Sequence, residues 1–151
     1  MTSSHEHWIR RAIELAREAR RRGDHPFGAV LVDGDQELAS ARNAVNTAHD
    51  VTQHAELRLV SKASRTVDTE LLRRTILYTS TEPCAMCAGA IYWTGISHIV
   101  FGLSAAELER TTGGAGLHRS AGDVLGAAST LTRIDGPILE DEAREVHVGF
   151  W

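Results

Sequence analysis

Both cysteines of the chain lie in one short run, Thr81-Glu82-Pro83-Cys84-Ala85-Met86-Cys87, two residues apart behind a proline. About thirty residues earlier stands His54-Ala55-Glu56. Cysteine and histidine are the side chains zinc prefers, and three of them with one open position make a catalytic rather than a closed structural site. This constrains the fold. Both pieces sit where a polar turn gives way to a helical pattern, so the chain has to bring two helix N-termini to one point. Free N–H groups and the positive dipole end at such a terminus stabilise thiolates. Cys84 and Cys87, three apart on the first turn of one helix, can face the same point. His54, opening the other helix, can supply the third ligand.

Glu56, two residues beyond His54, is assigned no ligand role. A carboxylate beside a metal-acidified water can accept a proton and pass it to a leaving amine, which makes Glu56 the candidate general acid/base. The reaction this implies is hydrolytic loss of ammonia from an amidine-like ring carbon. Two plainer readings stand beside it: a redox Cys-x-x-Cys pair, and a structural zinc completed by one of His25, His49, His98 or His118. None of those four histidines has telling ligand spacing.

The chain's 151 residues suit one domain with a proper core. A net charge of -4 excludes the basic footprint expected of a nucleic-acid binder. No apolar run reaches membrane-spanning length, and no signal-peptide pattern opens the chain. Two cysteines at this spacing indicate metal or redox chemistry rather than a disulfide framework. The expectation is a soluble cytoplasmic domain.

Apolar residues at helical spacing from His5 to Arg22 (Trp8, Ile9, Ala12, Ile13, Leu15, Ala16, Ala19) predict an amphipathic helix ended near Gly23, its arginines forming a solvated face. Residues 27–32 and 37–42 read as a hairpin about the turn Asp33-Gly34-Asp35. Residues 43–53 read as a polar loop leading to His54, and 55–63 as a helix. Thr75 to Ser80 is a strand, Cys84 to Trp93 a short helix, and His98 to Gly102 the next strand. Within 103–129, the run Thr111 to Gly116 reads as a loop or a lid. A last strand near 130–134 and a helix near 139–146 follow. Alternating strands and helices predict an α/β fold with a mixed sheet.

His-x-Glu followed by Pro-Cys-x-x-Cys is the signature of zinc deaminases acting on nucleobases. With His25-Pro26-Phe27-Gly28-Ala29-Val30, Asn43, Asp50 and Glu82 to Ile91, the chain resembles the cytidine deaminase-like superfamily, in its branch of guanine, cytosine and tRNA-adenosine deaminases. The resemblance runs to about Gly102. It implies a three-layer fold with a mixed five-stranded sheet flanked by helices, and a homodimer. It implies that His54, Cys84 and Cys87 bind Zn²⁺, that Glu56 shuttles protons, and that Asn43 and the backbone of Ala55 contact the substrate ring. Read alone, Asn43 is equally a turn residue.

Gly89-Ala90-Ile91-Tyr92-Trp93 looks like guanine deaminases, which puts guanine-like substrates first and cytosine next. The acidic pair that guanine deaminases carry in the stretch corresponding to Gly113-Gly114-Ala115 is absent, with Glu107 and Glu109 the nearest acids. A tRNA-editing relative would be expected to end in a basic helix, whereas here Glu140 to Glu145 is acidic and repels phosphate. The expected substrate is therefore a free nucleobase or nucleoside, with nucleic acid disfavoured. The alternatives are a tRNA adenosine deaminase and a non-catalytic zinc-stabilised binding protein. Phe150 and Trp151 are read either as a cap or stacking surface over the site, or as core or dimer-interface residues, the latter slightly preferred.

Overall fold

The computed structural model describes residues 2–114, 119–126 and 132–151. In order, its elements are α1 (Thr2–Arg21), β1 (Gly28–Asp33), β2 (Gln36–Arg42), α2 (Val45–Ala48), α3 (Ala55–Thr66), α4 (Thr69–Leu72) and β3 (Ile76–Thr81). Then come α5 (Ala85–Thr94), β4 (His98–Leu103), α6 (Ala105–Thr112), α7 (Ala121–Leu125), β5 (Arg133–Asp135) and α8 (Glu140–Glu145).

The five strands form one sheet in the order β2-β1-β3-β4-β5. β1 pairs antiparallel with both β2 and β3, whereas β3–β4 and β4–β5 are parallel. The mixed sheet expected from the sequence is thus observed. Its parallel half is the part crossed by helices, as parallel connections require.

Side chains alternate across a strand, and β1 shows why it reads as a continuous apolar run. Ala29 and Leu31 enter a core with Leu59, Ala63, Leu77, Ile91 and Ile99, on the face covered by α3 and α5. Val30 and Val32 enter a second core with Trp8, Ile9, Ile13, Tyr78, Val100 and Ala143, under α1 and α8. Each fully buried Leu, Ile or Val contributes roughly 1.5–3 kcal/mol. Gly28 is fixed by close approach: a Cβ there would lie 2.3 Å from the Ala12 carbonyl oxygen and 2.7 Å from the Ala16 nitrogen. α1 therefore crosses β1 almost backbone to backbone.

Three expectations change. The stretch before His54 contains the one-turn helix α2, with Thr47 N–H and Oγ1 both bonded to the buried Asp24 carboxylate. Thr111 and Thr112 end α6, which is capped at both ends by Ser104 and Gly113. Ala115, Gly116 and His118 lie outside the described residues, as do Thr130 and Leu131 of the expected last strand. The α1 arginines are not simply solvated. Arg10 meets Glu142 at 2.9 Å, Arg11 meets Glu37 at 3.1 Å, and Arg20 bonds backbone carbonyls beyond α8. Among the described residues no helix is long and apolar enough to cross a membrane.

Candidate active site

The two motifs meet where the carboxyl ends of β3 and β4 leave the sheet. His54 is the N-cap of α3 and Cys84 the N-cap of α5, both in extended backbone, so each helix points its free N–H groups at the same place. His54 Nδ1 lies 3.6 Å from Cys84 Sγ and 3.7 Å from Cys87 Sγ. All three donor atoms lie within 4.8 Å of one another.

This donor set fits zinc. At ordinary bond lengths a nitrogen and a sulfur on a tetrahedral zinc stand about 3.6 Å apart. The electrostatics agree. Cys84 is lowered to about 4, first by the Cys87 S–H bonded to it and also by His54. Cys87 is pushed up by that same bond and by burial, and His54 is raised by Cys84. His98, a spare histidine on sequence grounds, belongs to a separate cluster, where it bonds Asp135 at 2.7 Å near His5.

Glu56 is buried in the first turn of α3. Thr79 Oγ1, from β3, donates to its Oε1 at 2.5 Å. Burial raises the Glu56 carboxyl above its ordinary value, and the Thr79 bond works in the opposite direction.

His54, Glu56 and Cys84 line a cavity of about 330 Å³ together with His25, Phe27, Asn43, Glu82 and Trp151. Its volume lies at the small end of the range for small-molecule sites. Asn43 is buried, and its Oδ1 accepts the Val45 N–H at 3.0 Å, which leaves the amide Nδ2 as the group it can offer a ligand. Ala55, fully buried, is the first residue of α3, and its N–H has no acceptor within the helix.

Sequence reasoning missed two residues. Thr79 sits in a strand pattern that gives no sign of its partner. The Glu82 carboxylate accepts from Ala105 N–H at 2.9 Å and Ala121 N–H at 2.7 Å, joining the N-termini of α6 and α7 beside the cavity. Of the two readings of Trp151, the structure favours a place over the site: the residue lies on the cavity wall, half exposed, not in the core. Of the two acids near the glycine-rich run, Glu107 faces Arg110 and Arg144, and neither it nor Glu109 lines the cavity.

The model of the cytidine and deoxycytidylate deaminase zinc-binding region matches residues 2–103, which span both motifs. The chain belongs to that family. It is a hydrolytic deaminase of the cytidine deaminase-like superfamily. The deaminase is 46% identical to a probable cytosine deaminase of Schizosaccharomyces pombe, over 95% of this chain and 90% of that protein. It is 45% identical to a guanine deaminase of Bacillus subtilis over 60% of this chain and 58% of that protein. Its fold matches the solved structure of a guanine deaminase from Nitrosomonas europaea with a TM-score of 0.82, at 25% identity over 94% of this chain and 81% of that one.

Proposed function

We propose that this deaminase acts, as one domain over residues 1–151, on a free nucleobase, a nucleoside or a related amino-heterocycle, with guanine-type and cytosine-type rings leading. The observation that carries the reading is the convergence of His54, Cys84 and Cys87 beside a buried Glu56 in one small cavity. Similarity to the yeast protein supports cytosine-type rings, and similarity of fold supports guanine-type rings.

His54, Cys84 and Cys87 would hold zinc. The ion, when bound, supplies Lewis acidity that acidifies a water at neutral pH. The chain's own groups do the rest. Thr79 fixes Oε1 of Glu56, so Oε2 is the oxygen that accepts a proton and returns it to the departing amine. The Asn43 Nδ2 and Ala55 N–H donors meet acceptors on the ring, and Trp151 and Phe27 offer it apolar faces. Glu82 holds the starts of α6 and α7 beside the cavity and so fixes that part of its wall.

A small ring is favoured over tRNA because the first turn of α8 carries three acids and no base, Glu142 meeting Arg10 while Glu140 and Asp141 meet Arg144. We further assign the deaminase to the cytoplasm, where its two thiol ligands stay reduced. A homodimer is supported by α5, which is apolar on every side yet leaves Trp93 83% exposed. The test is ammonia release by zinc-loaded protein across guanine, cytosine, adenine, their nucleosides and aminotriazines. Release from a guanine- or cytosine-type ring supports the reading. Release only from an RNA stem-loop would replace it.

A further inference from the structure

We propose that His147 is a positioning residue for substrate, holding the Trp151 indole in place as the wall on which the ring stacks. The inference rests on reading the Trp151-lined cavity as the substrate site.

The Trp151 indole N–H donates to His147 Nδ1 at 3.0 Å. The two rings lie nearly parallel, 15° apart, with centroids 6.2 Å apart. An indole nitrogen is a donor only, so Nδ1 must be the acceptor and the imidazole proton must sit on Nε2. Nε2 is buried and meets no hydrogen-bond partner among the described residues. An unpaired buried N–H is destabilising. A phenylalanine-like side chain would fill the same space against Phe27, whose ring centre is 5.4 Å away, without that penalty. What the imidazole adds to packing is the Nδ1 acceptor, and its one user is Trp151.

The backbone around His147 is held independently of that bond. Arg20 Nη1 donates to the carbonyls of Val146 at 2.8 Å and Val148 at 2.6 Å, and its guanidinium lies over Phe150. Trp151 itself is 49% exposed, and besides this bond it meets the rings of Phe150, His25 and Phe27, contacts that leave the indole without a second polar anchor among the described residues. The hydrogen bond therefore sets the indole's angle to the cavity, not the fold of the segment that carries it.

The test compares His147→Gln, whose side-chain oxygen can still accept, with His147→Phe and Trp151→Phe. All are zinc-loaded and assayed on cytosine and guanine. Binding of the same rings is read in a Glu56→Gln background by tryptophan fluorescence, with the Trp151→Phe spectrum subtracted to isolate Trp151. His147→Phe should raise KM about three- to tenfold with kcat within about twofold, and His147→Gln should restore most of it. In Trp151→Phe, His147→Phe should add nothing further. A His147→Phe enzyme with wild-type KM, or effects of the two changes that simply add, would overturn the proposal. If His147→Phe does not fold, the decision passes to His147→Gln: loss of ring binding there despite a retained acceptor counts against it. Failure of the unmodified cavity to bind either ring, at full zinc content, would instead overturn the reading of the cavity and the inference with it.

Discussion

Thr79 Oγ1 lies 2.5 Å from Glu56 Oε1, joining the central strand of the sheet to the carboxylate proposed to move the proton. A hydrogen bond to an ionised group contributes about 1.5–3 kcal/mol, roughly ten- to hundredfold in rate if it is needed in the transition state. Thr79→Val should lower kcat by about that factor with zinc content unchanged, and Thr79→Ser should recover most of it. Equal rates in all three enzymes would show that this bond does not orient Glu56.

The approach of α1 to β1 at Gly28 makes a stability prediction. A methyl group 2.3 Å from the Ala12 carbonyl forces helix and strand apart. Overpacking of this kind costs about 1–3 kcal/mol or more. Gly28→Ala should lower the Tm by roughly 5–10 °C in a thermal melt. An unchanged melt would mean that α1 does not lie against β1 as described.

His147 gives stability a pH dependence. Burial, then Arg20, lowers it from 6.5 to about 4 in the folded protein. The unfolded chain therefore takes up a proton that the folded chain refuses. Stability from this group is complete above about 6.5, declines as pH falls, and levels off below about 4. The span is at most about 3 kcal/mol. Burial lowers His25 as well, which adds to the slope with the same sign. Denaturant melts from pH 7 to pH 4 should show a shallower decline for His147→Gln than for wild type; parallel curves would contradict the assignment.

Trp93 tests the assembly. Trp93→Glu places a charge in the middle of the exposed α5 face, where Met86 is also exposed. Sedimentation should show wild type at twice the chain mass of 16.5 kDa and the variant near a single chain. A wild-type monomer would remove the homodimer from the account.

Much of this was legible in the sequence because local chemistry repeats there. The apolar period of α1, the continuous apolar run of β1 and the turn at Asp33 to Asp35 placed these elements to within three residues of their observed bounds. The grouping of His54, Cys84 and Cys87 was legible because such a donor set has few other uses, and Glu56 because it stands two residues from His54. Thr79 was not, because a threonine in a strand is ordinary until the helix carrying Glu56 is laid across it. The same holds for the Glu82 clasp, whose partners Ala105 and Ala121 contribute only backbone N–H groups. The place of Trp151 stayed open between site and core because nothing in its neighbours signals that Arg20, 126 residues before Val146, holds the backbone beside it.

The measurement that bears most directly on the central claim is turnover and zinc content determined on the same preparations of wild type and Glu56→Gln. Glutamine keeps the shape and loses the proton carrier. The account predicts about one zinc per chain in both proteins, ammonia release from the preferred ring by wild type, and a loss of about 10³-fold in the variant. A fully zinc-loaded Glu56→Gln enzyme that deaminates at the wild-type rate would contradict it.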